Sequence, residues 1–214
     1  MGNTNKSNSV VLVGKIAEKL TLNNEVYKEK FYSTTLLVER NSGYVDEVPI
    51  ILSERLLEDD EILGKTVEIR GQFRSCNKHE GERARLVLYV FVQSFEVLGD
   101  TVEIGLENNT VSFEGYVCGE PHYRVTSTGR EVCDVILAVN RSYKRADFIP
   151  CIFWSRNAKF ASTWKVRTKI KLTGRVQSRK YPKMGSDKQI ITKTAYEVSV
   201  SHVEVMENTT EDGK

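Results

Sequence analysis

The sequence predicts an all-β protein: two tandem five-stranded barrels, each with a short helix between its third and fourth strands. Three observations predict it. The 214-residue chain is written twice, because NSVVLVGKI (8–16), FYSTTLLVER (31–40) and DEVPIILSE (46–54) recur 101 residues later as NTVSFEGYV, VCDVILAVNR and DFIPCIFWS. KTVEIRGQFRS (65–75) returns at an offset of 103 as TKIKLTGRVQS. Apolar residues alternate with polar ones, or run unbroken, in short β-branched stretches, which is the signature of half-buried and buried strands. One interruption with helical character falls at the same place in each copy. Five strands with a helix in that position is the order of an OB-fold barrel.

The elements follow in order. VVLVGKI reads as the first strand, TTLLVER as an inner strand of the barrel and LVLYVFV as the closing one. Turns are expected at Asn23-Asn24, Asn41-Ser42-Gly43, Ser127-Thr128-Gly129 and Met184-Gly185-Ser186. SERLLEDDEIL (53–63) and SRNAKFASTW (155–164) are the expected helices. Phe160 and Trp164, four residues apart, would share one helix face and cap the barrel end. YVFVQSFEVL (89–98) matches EVSVSHVEVM (197–206), so the last loop is longer in the second copy. The expected organisation is a divergent N-terminal barrel over 1–98, a polar acidic linker over 99–109, a C-terminal barrel over 110–207 and a short polar tail over 208–214.

Composition is that of a globular protein, 40% hydrophobic and 28% charged. No apolar run approaches the roughly 18 residues that cross a membrane, and the polar start MGNTNKSNS lacks the apolar core of a secretory signal. A cytoplasmic protein is expected. Cys76, Cys118, Cys133 and Cys151 form no CxxC or paired CxxH spacing, so neither a metal nor another cofactor is expected. Cys118, Cys133 and Cys151 lie in strand-like runs that suit reduced, buried thiols. No nucleophile–base pair, phosphate-cradling glycine loop or carboxylate cluster suggests an enzyme; Asp59-Asp60-Glu61 reads as the solvated face of a helix. Net charge is only +2, but residues 141–188 carry 14 cations and two acids, Asp147 and Asp187. That segment would attract a polyanion.

The repeat serves as an internal control. Ile149, Cys151 and Phe153 share one strand face and correspond to Val48, Ile50 and Leu52, so that face is core. Phe148 and Trp154, on the opposite face with Pro150 and Ile152, correspond to Glu47 and Ser53. Tyr143 corresponds to Ser42, and Tyr181 to Lys78. Four aromatics thus occur only in the second copy, each near cations. Aromatics among Lys and Arg on an outer barrel face suit single-stranded nucleic acid, whose unpaired bases offer π-faces. Arg141, Lys144, Arg145, Arg156, Arg175, Arg179, Lys180 and Lys183 are the candidates for phosphate contact. The first copy lacks those aromatics, though its Arg70, Arg74, Lys78, Arg83 and Arg85 leave it a modest contribution. Duplex reading is disfavoured, since the one helix per copy is short and mixed in charge. An RNA-binding module of the same fold and a primosome-like protein–protein factor are the alternatives.

The second half resembles the bacterial single-stranded DNA-binding protein family in NTVSFEGYV, ILAVNRSYKRADFIPCIFWSRNAKFAS and LTGRVQSRKY. The whole chain is similar to the tandem two-barrel members of Firmicutes and their mobile elements. That resemblance implies a non-catalytic protein that coats and protects single-stranded DNA in replication, recombination, repair or conjugative transfer. It maps the family's base-stacking aromatics onto Tyr143, Phe148, Trp154 and Tyr181. It also implies a homo-oligomer, a homodimer supplying four barrels, in the nucleoid-associated cytoplasm. The chain ends MENTTEDGK, without the acidic Pro-Phe tip through which many members recruit replication enzymes, so such recruitment is not expected here.

Overall fold

The computed structural model describes residues 7–59, 61–80, 83–99, 107–184 and 189–206. Most of the expected linker and all of the expected tail lie outside those residues, as do Asp60 and the expected turn at Gly185-Ser186. The first copy contributes β1 (Asn8–Ile16), β2 (Thr21–Val26), β3 (Glu29–Glu39), β4 (Val45–Ser53), β5 (Thr66–Glu80) and β6 (Arg83–Val97). The second contributes β7 (Asn109–Val117), β8 (His122–Val125), β9 (Glu131–Arg141), β10 (Arg145–Trp154), α1 (Ser155–Ala161), β11 (Lys169–Met184) and β12 (Ile190–Val205). Two compact units result. One holds residues 9–111 with 176–197; the other holds 112–175 with the described residues 7–8 and 198–206.

In the unit containing the first copy the strands run β2-β3-β4-β6-β5-β1, and β1 closes the barrel onto β3 through Lys15↔Leu37 and Ile16↔Leu36. The second copy repeats the order as β8-β9-β10-β12-β11-β7, closed by Tyr116↔Ala138 and Val117↔Leu137. Register agrees between copies as closely as order does. Ile50 pairs with Val90 and Ile51 with Phe91, as Cys151 pairs with Val198 and Ile152 with Ser199. Alternate residues fill each interior: Leu12, Leu36, Ile50 and Phe73 in one, Phe113, Leu137, Ile149 and Phe153 in the other, all fully buried. The expected inward set Ile149, Cys151 and Phe153 is buried throughout.

Three details differ from expectation. Each copy carries a sixth, short strand, β2 or β8, paired only with its neighbour at the sheet edge and exposed along its length. The helix expected over 53–63 shrinks to a single 3-10 turn, Glu54–Leu56, capped by Ser53. The acidic run explains this: Asp59 Oδ1 accepts from the Glu61 amide at 2.9 Å, a local turn that competes with helix, and Glu58 and Glu61 would repel at helical spacing. The solvated helix expected at Asp59 and Glu61 is therefore a solvated turn. Finally, Ile152 lies on the outer face of β10 yet is buried, flanked in register by Asp134 and Ser199. In the second copy α1 forms as expected, and Trp164 meets Phe160 and Phe153 edge-on, with centroids 5.4 and 5.2 Å apart.

One polar motif is duplicated inside the apolar frame. Arg40 forks onto the buried Asp46 with two bonds of 2.6 Å. At the repeat position Arg141 meets the buried Asp147 at 3.5 Å. Asp46 also accepts from the Ser178 amide at 2.6 Å and hydroxyl at 3.1 Å, so the outer half of β11 packs in the same unit as β4. The bonds from Arg40 hold its guanidinium pKa above its ordinary value. Arg40→Met would leave Asp46 with only the Ser178 donors, and we expect a loss of about 3 kcal/mol in stability by denaturant titration.

All four cysteines are free thiols. Cys133 and Cys151 are buried, whereas Cys76 and, against expectation, Cys118 are exposed; Cys118 follows the last residue of β7, where the chain leaves the barrel. Burial pushes the Cys133 thiol up to about 11, so it carries almost no thiolate at pH 8. A disulfide-exchange reagent at pH 8 should therefore titrate two thiols in the native protein and four after denaturation. Four fast-reacting native thiols would contradict this packing.

Candidate nucleic-acid interface

The antiparallel pairing of β9 with β10 makes Phe148 the register partner of Ala138, and that of β7 with β9 makes Tyr116 the partner of Ala138 as well. Their sequence neighbours Val117, Leu137 and Ile149 are buried, so Tyr116, Ala138 and Phe148 form one row on the outer face. Phe148 is 41% exposed and Tyr116 37%. A small residue between two rings leaves a shallow slot whose walls are aromatic. The same row in the first copy is Lys15, Leu37 and Glu47, a large aliphatic between two charges.

Trp154 closes the other end of β10. It stands opposite Val132, half-buried, and its indole Nε1 donates to Ser199 Oγ at 3.1 Å. That bond fixes the ring against β12 and removes one rotational freedom a base would otherwise have to freeze.

Between these strands the chain turns through Ser142, Tyr143 and Lys144. Tyr143 and Lys144 both have positive φ, 60° and 54°. Bulky side chains seldom adopt that region, which costs about 1–2 kcal/mol per residue. The first copy makes the corresponding turn with Gly43 at φ 78°. The unusual choice leaves Tyr143 96% exposed, with Lys144 and Arg145 beside it. Strain kept where glycine would serve is a mark of functional sites.

The remaining predicted residues divide between the units. Arg156 is exposed on α1 and Arg175 is half-buried on β11, both in the unit of Ser112–Arg175. Arg141 lies there too, but its guanidinium faces Asp147 and is largely covered. Tyr181, Arg179, Lys180 and Lys183 belong to the outer half of β11 and so to the other unit. Arg179 lies 5.7 Å from the Tyr181 ring centroid, and Lys180 pairs with Glu47 at 2.7 Å, which raises the Lys180 pKa. Among the described residues no ion pair engages Lys144, Arg145 or Arg156. Nor do any three His, Cys, Asp or Glu side chains among them converge to hold a metal. The side chain of Arg83 is outside the described set.

Tyr116 escaped the sequence reading, although the signal was available: at an offset of 101 it replaces Lys15. Its meaning depends on Ala138, a neighbour across the sheet that no linear comparison shows.

The single-strand binding protein family profile matches residues 108–206. Single-stranded DNA-binding protein 1 of Streptococcus pyogenes is 31% identical over 108 residues, 47% of this chain and 82% of that protein. Single-stranded DNA-binding protein B of Bacillus subtilis is 34% identical over 80 residues, 34% of this chain and 71% of that one. Against single-stranded DNA-binding protein 1 of Streptococcus agalactiae, identity is 30% and the match spans 59% of its length. In fold, the chain is similar to the wild-type single-stranded DNA binding protein from Thermus aquaticus, with TM-score 0.73, 18% identity and coverage of 97% of this chain and 96% of that one.

The strained turn yields a direct test. Tyr143→Asn combined with Lys144→Gly supplies the residues such a turn prefers, so the thermal midpoint should rise by several degrees. An unchanged or lower midpoint would mean the turn is not strained.

Proposed function

The chain belongs to the single-strand binding protein family, and on that premise we propose that it binds single-stranded DNA without sequence preference, as a coat and not as a catalyst. The outer face of the second copy is the platform. Bases stack on Tyr143, Phe148 and Trp154, with Tyr116 walling the slot over Ala138, while Lys144, Arg145, Arg156 and Arg175 follow the phosphates. Tyr181 with Arg179, Lys180 and Lys183 continues the surface from the outer half of β11. Arg141 contributes by neutralising Asp147 at the hairpin base and thereby orienting the turn that carries Tyr143. Sequence preference is weak, because every base has a π-face.

The observation that carries this reading is the outer row Tyr116–Ala138–Phe148, together with Trp154 pinned to Ser199, above a core that the first copy builds without any of these aromatics. The remaining steps follow from the same reading: two barrels over 1–98 and 110–207, a homodimer that brings four barrels to one strand, and a cytoplasmic, nucleoid-associated role in replication, recombination or conjugative transfer.

Titration with dT oligomers, read by tryptophan fluorescence, tests it. Stacking on Trp154 should quench emission, while the buried Trp164 supplies a constant background. Trp154→Ala should weaken binding about tenfold or more, in line with roughly 1–3 kcal/mol per stacked base. Replacing Lys144 and Arg145 by Gln should flatten the log K against log salt slope by about 1, at roughly 0.7 per phosphate lost. Absence of quenching, or tighter binding to duplex, would contradict the proposal.

A further inference from the structure

We infer that the first copy carries a second single-strand platform, assembled from Phe31, Phe91 and Arg74 at strand positions where the second copy has none of these residues. The inference rests on the reading of the second copy given above and extends it to the barrel that seemed to lack aromatics.

The two copies share one register, so their outer faces can be superposed residue by residue. Trp154 stands opposite Val132 and bonds Ser199; the equivalent trio is Ser53, Phe31 and Phe91. The aromatic and the small residue have changed places. In the second copy the ring comes from β10 and leans on a serine of β12; in the first, rings come from β3 and β6 around the serine of β4. The same patch of barrel surface is aromatic in both copies. A core requirement does not explain Phe31 and Phe91, because the second barrel closes with Val132 and Ser199 there.

The first patch is also organised. Phe31 and Phe91 lie with centroids 5.9 Å apart and planes inclined by 32°. The Arg74 guanidinium lies over the Phe91 ring, 3.9 Å from its centroid. Gln72, itself buried, holds that guanidinium flat, accepting from Nη2 at 2.9 Å and Nε at 3.3 Å on one side-chain oxygen. A planar cation stacked on a ring is an aromatic-sized surface with positive charge, and bases stack on arginine planes as they do on rings. Tyr89 stands opposite Arg74, and Lys78 faces Arg85 two pairs further on, so cations continue along the outer face. The second copy places Gln177 and Glu197 at the positions of Arg74 and Tyr89, joined by a 2.6 Å bond and offering neither ring nor cation. Glu29, the acid nearest the rings, is engaged by Arg55 at 3.0 Å and by the Ser53 hydroxyl. The ligand class is the same in both copies: a flexible single strand, with flat bases and phosphates for Arg74, Lys78 and Arg85.

The full chain is titrated with a short dT oligomer, long enough to fill one barrel face, and with a long one. Arg74→Gln, which introduces the second copy's residue on the surface, is the principal variant; Phe91→Ser, checked for folding by circular dichroism, is the second. We expect both to bind the short oligomer like wild type, to bind the long oligomer about tenfold more weakly, and to occupy fewer nucleotides per chain at saturation. Wild-type affinity and site size in Arg74→Gln would overturn the inference and leave the reading of the second copy standing. The opposite pattern, an inert Trp154→Ala beside a defective Arg74→Gln, would overturn that reading and uphold this one.

Discussion

Each barrel closes where its first strand changes partner, and a residue without a side chain makes the closure possible. β1 pairs with β5 through Val10–Lys15 and passes to β3 at Lys15 and Ile16. A Cβ on Gly14, at that corner, would overlap the Leu37 carbonyl oxygen, and one on Gly115 would overlap that of Ala138. Such contact is the usual reason for glycine within a strand. Once the first strand is seated, pairing registers around the barrel are no longer independent, because a slip of one residue would turn every apolar side chain outward. The order of the outer face is thus a consequence of the closure. Tyr116, the residue after Gly115, reaches the row with Ala138 and Phe148 only because β7 crosses to β9 there.

A shared register turns the duplication into a controlled comparison. Both copies satisfy the same interior, so differences between them gather on the outer surface. Those differences are exchanges between neighbours. Lys15, Leu37 and Glu47 become Tyr116, Ala138 and Phe148; Ser53 with Phe91 becomes Trp154 with Ser199. In each exchange a large residue appears beside a small one, as close-packed surfaces demand. The duplicated Arg–Asp pair at the hairpin base belongs to the shared frame. It recurs as Arg40–Asp46 and Arg141–Asp147, and it converts one of the predicted phosphate cations into a support for the turn.

What the sequence made legible follows the same division. Barrel order, strand faces and the inward set Ile149, Cys151 and Phe153 were readable, because period-two alternation and the repeat are both linear signals. The first-copy helix was misread because Asp59 turns the chain locally, an effect that composition hides. Arg141 was counted as a free cation although Asp147, six residues on, was in plain view. Tyr116 and Phe91 were missed for a different reason: their significance lies in Ala138 and Ser53, which are distant in sequence and adjacent only after pairing. Tyr143 was found by its charge neighbours, but nothing in the sequence disclosed that it sits at positive φ.

The central claim is that the outer face of the second copy receives the bases directly. Photo-crosslinking with a dT oligomer carrying 5-iododeoxyuridine, followed by peptide mapping, measures that contact at residue level. Adducts at Trp154, Phe148 and Tyr143, competed away by unlabelled single strand but not by duplex, are the predicted result. Adducts confined to the edge strands β2 and β8 or to α1, with none on β10 or its turn, would contradict it.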